Sequence, residues 1–173
     1  MKKILIALCA LLAFGSAASA DSFVERHFGY TYTTLGDYSG SGIAFGTKVM
    51  IPTTLLGGIE VGGGFNGEVS FIDMTIDNDD SSVVYGADLD LYTGYTIKDF
   101  TIRAGVGYQL TAISNIAYTH GVLYTGEIGY HINDKVGVNL AYKGGTMSFE
   151  TDAGSGPDID QSQIVASITW DFN

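Results

Sequence analysis

The sequence has 173 residues and a net charge of −11 at pH 7, with 19 acidic and eight basic side chains. An acidic chain lacks the basic surface on which nucleic-acid binding depends, so we expect no nucleic-acid partner. Only 16% of the residues are charged, below the roughly 25% typical of soluble proteins, while glycine contributes 24 residues. The composition therefore disfavours a soluble protein with a densely charged surface.

The first 20 residues have the pattern of a secretory signal peptide. Two lysines precede an apolar run over 4–14, and small residues end in Ala-Ser-Ala at 18–20. The apolar run is shorter than the roughly 20 residues that a membrane-spanning helix needs. We predict Sec-type export, removal of 1–20, and one domain over 21–173. That domain would have no cysteine, since Cys9 leaves with the signal, and its six basic and 19 acidic residues give a charge of −13.

Alternation of apolar and polar residues recurs along the rest of the chain and predicts β-strands, because successive side chains of a strand point to opposite faces. No segment has convincing helical periodicity. The eight predicted strands lie near residues 24–35, 42–51, 59–73, 83–97, 100–114, 118–132, 136–149 and 161–172.

The predicted connections differ in length. Lys98-Asp99 and Asn133-Asp134-Lys135 are predicted tight turns, 51–58 is a less polar turn, and 115–117 is short. Longer, polar and acidic loops are predicted at 36–41, 74–82 and 151–161. Tight turns at one end and longer loops at the other are typical of an outer-membrane barrel.

The two faces of each predicted strand differ in a way that is unusual for a soluble sheet. In one strand the apolar face holds Phe100, Ile102, Ala104, Val106, Tyr108 and Leu110, and the other face holds Thr101, Arg103, Gly105, Gly107 and Gln109. A soluble sandwich would need long charged side chains on its polar face, whereas small residues suit the narrow interior of an eight-stranded barrel. Closure would also leave no unpaired edge in hydrocarbon. We therefore predict an all-β, eight-stranded antiparallel transmembrane up-and-down β-barrel, apolar on the outside.

Aromatic residues fall in two bands along the predicted strands, as expected for girdles at the two membrane interfaces. The alternative is aromatic pairing within a soluble sheet. The band near the tight turns and the C-terminus contains Tyr95, Phe100, Tyr130, Trp170 and Phe172, and the band toward the loops contains Tyr85, Tyr108, Tyr124 and Tyr142.

Charged residues on the polar faces are predicted to form a network inside the barrel, since charges in a narrow lumen should be paired or hydrated. The predicted interior charges are Lys48, Glu60, Glu68, Asp88, Asp90, Arg103, Glu127 and Lys143. Reflection about the predicted turns brings together Lys48 with Glu60, Glu127 with Lys143, and Arg103 with Glu127. It also places Glu68 opposite Asp88, near Asp90, with no cation assigned. We expect a structural plug; the alternative is that these three carboxylates titrate unusually or hold a cation.

The segment YTIKDFTIRAGVGY at 95–108 and the Gly-Tyr pairs at 107–108 and 129–130 carry a family resemblance. Over residues 21–173 the chain resembles the small eight-stranded outer-membrane barrels of the OmpA, OmpX and opacity-protein type. That family usually ends on an aromatic residue, whereas here Asn173 follows Phe172. The resemblance implies a monomeric, integral protein of a bacterial outer membrane. Its expected partners are outer-membrane lipids, lipopolysaccharide and the barrel-assembly machinery.

Signals for enzymatic activity or a cofactor are weak. His27 lies on one predicted strand, His120 and His131 lie near opposite ends of another, and none stands in a His-x-Ser arrangement. Closely spaced glycines precede no predicted helix, which disfavours a dinucleotide site. The acidic segments 77–82 and 152–160 lack the glycine and glutamate of an EF-hand loop, although weak divalent binding there is an alternative. We expect no enzyme, cofactor or metal.

The family resemblance implies a non-enzymatic role that is structural, or a surface interaction through the acidic loops, and the predicted ion pairs would plug the lumen. The alternative is a narrow channel, or transport of small hydrophobic molecules across the outer membrane. A lipid-modifying enzyme would require His120 or His131 to be essential for activity.

Overall fold

The computed structural model describes residues 23–53, 59–72, 82–113, 117–151 and 154–172. Among these residues the chain forms eight long β-strands and one two-residue strand. The strands are β1 Phe23–Leu35, β2 Tyr38–Thr53, β3 Ile59–Ile72, β4 Ser82–Ile97, β5 Phe100–Ile113, β6 Ala117–Asn133, β7 Val136–Thr151, β8 Gly154–Ser155 and β9 Ile159–Phe172. No helix long and apolar enough to cross a membrane occurs in the described ranges.

The eight long strands close into one antiparallel barrel. Each strand from β1 to β7 pairs with its neighbour in the chain, β7 pairs with β9, and β9 pairs with β1. The closing ladder is long, since it runs from Val24 opposite Phe172 to Leu35 opposite Gln161. The short β8 adds only two pairs to the end of β7. The predicted all-β, eight-stranded antiparallel barrel is confirmed.

One end of the barrel, here the turn end, carries the two predicted tight turns and both Phe23 and Phe172. Lys98 adopts a left-handed conformation with φ of 55°, which allows Ile97 and Phe100 to pair directly. In the other turn the Asn133 side-chain oxygen accepts hydrogen bonds from the backbone amides of Lys135 and Val136, at 2.9 and 3.0 Å. Such an Asx arrangement stabilises a tight reversal of the chain.

At the opposite end, here the loop end, the predicted long loop at 36–41 is wrong. β2 begins at Tyr38, so that only Gly36 and Asp37 connect it to β1. Gly36 has φ of 56°, a left-handed conformation that glycine adopts at little cost. The polar residues that suggested a loop continue the ladder instead, with Ser39 opposite Thr34. The predicted loop at 151–161 is shortened, since β9 begins at Ile159, and residues 73–81 of the third loop lie outside the described residues.

Side chains alternate between the outside and the inside of the barrel along every long strand. Large apolar groups lie outside, among them Leu91, Phe71 and Tyr124, which are 67–69% exposed. Polar and charged groups lie inside, where Thr31, Gln109 and Ser70 are fully buried. This arrangement is the reverse of a soluble core, and it places the apolar surface where lipid would contact it.

The loop end of the lumen is filled by an apolar cluster that the alternation pattern did not assign. Leu35, Ile72, Val84 and Ile113 are each at most 1% exposed, and Phe149 packs against them. These four residues, here the aliphatic plug, come from β1, β3, β4 and β5. The plug therefore closes the lumen beneath the loops.

In a narrow, filled interior, a larger side chain should destabilise the barrel at an inward-facing glycine and be tolerated at an outward-facing one. A Cβ added at Gly107 would lie 1.7 Å from an Asp90 carboxylate oxygen and 2.8 Å from the Leu89 carbonyl oxygen, whereas one at Gly126 would meet nothing within 4 Å. We expect Gly107→Leu to destabilise the barrel by roughly 1–3 kcal/mol or to block folding, because of overpacking, and Gly126→Leu to fold normally. Heat-modifiable mobility on detergent gels and urea unfolding measure the difference; equal stability of the two variants would contradict a filled interior.

Candidate functional site

The eight predicted interior charges all lie inside the barrel, and each is 2–7% exposed. They come from six different strands, and alternation along each strand directs them to the lumen. They do not form one continuous network. The structure arranges them in two ion-paired networks and one carboxylate surrounded by amide and hydroxyl groups, stacked along the barrel axis.

The turn-end network consists of Glu25, Lys48, Glu60, Arg103 and Glu127. The Arg103 Nη1 donates to Glu25 Oε2 at 2.8 Å and to Glu127 Oε1 at 2.9 Å. The Lys48 Nζ donates to Glu127 and lies 3.4 Å from Glu25 Oε1. Glu60 is more distant, with its Oε2 3.7 Å from Arg103 Nε. Two cations thus connect carboxylates on three walls of the barrel.

The predicted pairing of Lys48 with Glu60 is wrong. In the β2–β3 ladder Glu60 lies opposite Pro52, and Lys48 lies opposite Gly64. The hairpin is therefore centred two residues later than the sequence suggested. Lys48 instead lies beside Glu25, its direct partner in the β1–β2 ladder, and reaches across the lumen to Glu127 on β6. Arg103 and Glu127, by contrast, are direct partners in the β5–β6 ladder and form an ion pair.

The mid-lumen network consists of Asn66, Asp88, Asp90, Tyr92 and Lys143. The Lys143 Nζ donates to Asp88 Oδ2 at 2.8 Å and to Asp90 Oδ2 at 3.0 Å. The Asn66 amide donates to both carboxylates at 2.6 Å, and the Tyr92 hydroxyl donates to Asp90 at 2.6 Å. Each carboxylate is thus held by a cation and by neutral donors, which is the condition for keeping charges buried.

The predicted pairing of Lys143 with Glu127 is wrong, and Lys143 supplies the cation that the sequence had not assigned to Asp88 and Asp90. Lys143 lies opposite Thr125 in the β6–β7 ladder and extends across the barrel to β4. The Lys48 Nζ also lies 5.2 Å from the centre of the Tyr92 ring, so the two networks touch. The sequence did not identify Glu25, Asn66 or Tyr92 as members, although Glu25 alternates in phase with the buried residues of β1.

Glu68 lies apart from both networks. Its predicted position opposite Asp88 is wrong, since Glu68 lies opposite Gly86 in the β3–β4 ladder. Its carboxylate accepts hydrogen bonds from Gln163 Nε2 at 2.9 Å, Thr33 Oγ1 at 3.2 Å and Gln109 Nε2 at 3.5 Å. Within the described ranges no Lys or Arg forms an ion pair with it. The described residues also contain no group of three or more His, Cys, Asp or Glu side chains placed to hold a metal ion.

The lumen around these groups contains little free space. A cavity of about 20 Å³ lies between His27, Lys48, Asp88 and Lys143, which is room for about one water molecule. The aliphatic plug lies between this region and the loop end. The lumen is therefore occupied by side chains along the described length of the barrel.

The predicted aromatic bands lie on the outer surface. Tyr95, Phe100 and Tyr130 are exposed at the turn end, where the rings of Phe100 and Tyr130 lie 4.9 Å apart. Trp170 is half-buried, and the side chain of Phe172 lies outside the described part of the chain. The other band is exposed as well and consists of Tyr85, Tyr108, Tyr124 and Tyr142. Phe100 and Tyr108, eight residues apart on one tilted strand, are separated by about 20 Å along the membrane normal, close to the height of an apolar barrel belt.

The three histidines do not come together. His27 is buried in the lumen, and His131 Nε2 lies 3.1 Å from Thr101 Oγ1 at the turn end. His120 lies on the outer wall near the loop end, where its Nδ1 is 2.8 Å from the Tyr108 hydroxyl and its Nε2 is 3.3 Å from Glu150 Oε1. No sequence motif indicates this contact, because Tyr108 and Glu150 belong to the two strands that flank His120.

Comparison with solved structures shows which fold this is. Neisserial surface protein A is similar, with 7% identity, a TM-score of 0.54, and coverage of 88% of this chain and 98% of that protein. Ail, the attachment invasion locus protein of Yersinia pestis, has 8% identity, a TM-score of 0.56, and coverage of 88% and 99%. A structure of Ail with the heparin analogue sucrose octasulfate gives 9% identity, a TM-score of 0.55 and the same coverage. No protein-family model and no curated protein matches the sequence.

The chain is therefore a transmembrane β-barrel with the fold of the small eight-stranded outer-membrane proteins. At 7–9% identity the likeness concerns the fold alone. The resemblance that the sequence motifs suggested is confirmed at that level.

The mid-lumen network predicts that replacing Lys143 costs much more stability than replacing Lys98. Lys143→Met leaves Asp88 and Asp90 without their cation, and removal of one partner of a buried ion pair typically costs about 3–5 kcal/mol. Lys98→Met, at an exposed turn, should change stability by less than about 0.5 kcal/mol. Urea unfolding in detergent or lipid, followed by tryptophan fluorescence, measures both.

A compensated variant provides the control. Asp88→Asn and Asp90→Asn, added to Lys143→Met, remove the stranded charges and should recover part of the lost stability. Equal unfolding midpoints for Lys143→Met and Lys98→Met would show that the ion pairs do not stabilise the barrel.

Proposed function

We propose that this protein is a non-enzymatic, integral protein of a bacterial outer membrane, with a plugged barrel that acts as a rigid scaffold. Its role is structural or is exercised at the surface through the acidic connections at the loop end. The observation that carries the proposal is the occupied lumen, in which two ion-paired networks and the aliphatic plug follow one another along the axis.

The ion pairs support a scaffold because they join walls that are distant in the sequence. Lys48 and Glu127 are 79 residues apart, Arg103 and Glu25 are 78 apart, and Lys143 and Asp88 are 55 apart. Each contact crosses the lumen and restrains the barrel from changing its cross-section. A pore for ions or sugars would require several of these contacts to open together.

The charge of the loop end favours cationic partners. The segment 77–82 contains three aspartates, and 152–160 contains three more, of which Asp158 and Asp160 are exposed in the described residues. The heparin analogue bound to Ail is a sulfated sugar, whereas an acidic surface would repel such a ligand. The surface role that we propose therefore involves basic peptides or cation-bridged groups rather than sulfated polymers.

The remaining parts of the proposal follow from the exposed apolar belt and the signal-like N-terminal segment. The protein is exported, is inserted as a monomer by the barrel-assembly machinery, and contacts outer-membrane lipids and lipopolysaccharide. The acidic loop end faces outward, and the turn end faces the periplasm.

Planar-bilayer recording separates a scaffold from a channel. We expect the refolded protein to give no stable conductance steps, because charged and aliphatic side chains occupy the lumen, while a porin recorded in parallel confirms that channels are detected. Reproducible steps from the folded protein would contradict the plugged scaffold and favour the channel alternative.

Proteoliposomes that contain the refolded barrel test the surface role. Binding of a fluorescent oligolysine should weaken when Asp77, Asp79 and Asp80 are changed to Asn, and should weaken with added salt. Asp99→Asn and Asp134→Asn, at the turn end, serve as matched controls. If the turn-end variants reduce binding as much as the loop variants, the loops do not form the binding surface.

A further inference from the structure

A hollow of about 630 Å³ opens on the outer wall of the barrel where β6, β7, β9 and the end of β1 meet. Tyr124, Gly126 and Tyr142 border it toward the turn end, and Thr146 and Asp160 border it toward the loop end. These residues point outward, since Tyr124 and Tyr142 are 67% and 56% exposed on the face that lipid contacts. The feature, here the wall hollow, is separate from the lumen networks.

The wall hollow exists because two outward positions carry no side chain. Around Gly126 an added Cβ would meet nothing within 4 Å, and at Gly144 its nearest neighbours would be the Tyr142 hydroxyl and ring, at 3.0–3.3 Å. Elsewhere on the barrel, outward positions carry large apolar residues such as Leu89 and Ile102. At its turn-end side, around Gly126 and Tyr142, the hollow borders the apolar belt, where lipid rather than water would fill it.

The polarity of the hollow changes within two rows of residues along the strands. The ladders align Gly126, Tyr142, Ile164 and Tyr32 in one row, and Tyr124, Gly144, Ser162 and Thr34 in the row above it. Beyond these, the Thr146 hydroxyl donates to Asp160 Oδ1 at 2.9 Å. The wall thus passes from aromatic and aliphatic groups to hydroxyl and carboxylate groups over a few ångströms.

The polar side chains that face the hollow are those of Thr34, Thr146, Asp160 and Ser162. Gln161 and Thr125 are 2% and 5% exposed and alternate in phase with the lumen residues Gln163 and Glu127, so their side chains point away from the hollow. The lining contains one charged residue, Asp160, and no Lys or Arg. A phosphate group at this level would therefore be repelled, whereas a group rich in hydroxyls would find both donors and acceptors.

We propose that the wall hollow binds a lipid with an uncharged sugar headgroup. Its hydrocarbon chain lies against Gly126 between the two tyrosines, and its sugar hydroxyls donate to Asp160 and exchange hydrogen bonds with Ser162 and Thr34. The inference rests on the barrel lying in a bilayer, as the proposed function requires, but not on the role of the loops.

The test uses the full barrel refolded into phosphatidylcholine bilayers that contain equal small fractions of three lipids with identical acyl chains. These are a glucosyl diacylglycerol, phosphatidylethanolamine and phosphatidylglycerol. After extraction in mild detergent, native mass spectrometry counts the lipids retained. We expect the glucosyl lipid to be retained about tenfold over phosphatidylglycerol, as for one hydrogen bond to a charged group.

Three variants and one control identify the site. Gly126→Leu, whose Cβ would meet no atom within 4 Å, places a side chain in the hollow and should abolish the preference. The control Ala87→Leu, outward on β4 and away from the hollow, should leave it unchanged. Asp160→Asn should lower retention of the glucosyl lipid about tenfold. Asp160→Lys should shift retention toward phosphatidylglycerol.

Two results would overturn the proposal: equal or greater retention of either phospholipid by the unmodified protein, or the same retention by Gly126→Leu and Ala87→Leu. Heat-modifiable mobility of every variant shows that it is folded. A barrel that inserts without conductance but has no sugar preference would leave the scaffold function standing and remove only this site.

Discussion

The constraint on which the structure depends is that every backbone hydrogen bond must be satisfied where no water is available. In hydrocarbon an open sheet edge would leave a row of unpaired amide and carbonyl groups, each costing several kcal/mol. The ladder between β9 and β1 removes that edge. Once the sheet is closed with eight strands, the lumen is narrow, and the outside of the wall faces lipid. Closure therefore determines that the outer face of every strand is apolar and that the inner face must fit a narrow lumen.

The narrow lumen explains why the interior charges are arranged as they are. A side chain as large as Lys48 or Arg103 has room only where the neighbouring inward positions are small, and Gly64 and Gly94 provide that room beside them. Charges confined there lose their hydration, so each must be paired across the lumen. The ion pairs that offset the lost hydration of these charges also connect the walls of the barrel. The filling of the lumen by side chains is thus a consequence of closure. Any recognition of membrane components must then occur on the lipid-facing wall.

Much of the fold could be predicted from the sequence, because period-two alternation is a local property. It identifies strands and their two faces even where the register between strands is predicted wrongly. The inward position of Lys143 needed only the phase of its strand, whereas its partners could not be deduced from reflection about a turn. Its contact with Asp88 crosses the barrel between strands that are not neighbours. Lys48 was misassigned for a simpler reason, since the centre of its hairpin is shifted by two residues. Ser39 and Ser41 were misassigned to a loop for another reason, because polar residues at a strand end beyond the apolar belt resemble those of a loop.

Reaction of single cysteines with a lipid-soluble reagent that forms a carbene on illumination, and so does not require a thiolate, tests the inverted barrel most directly. With Cys9 replaced by Ser, cysteines are introduced outward at Leu89, Val106 and Ile168, and inward at Ser167 and Thr169, where they differ little in size from the native residues. If the apolar face is outside, the three outward positions react in lipid vesicles and the two inward positions do not. Fast reaction at Ser167 and Thr169, with Leu89, Val106 and Ile168 protected, would contradict it.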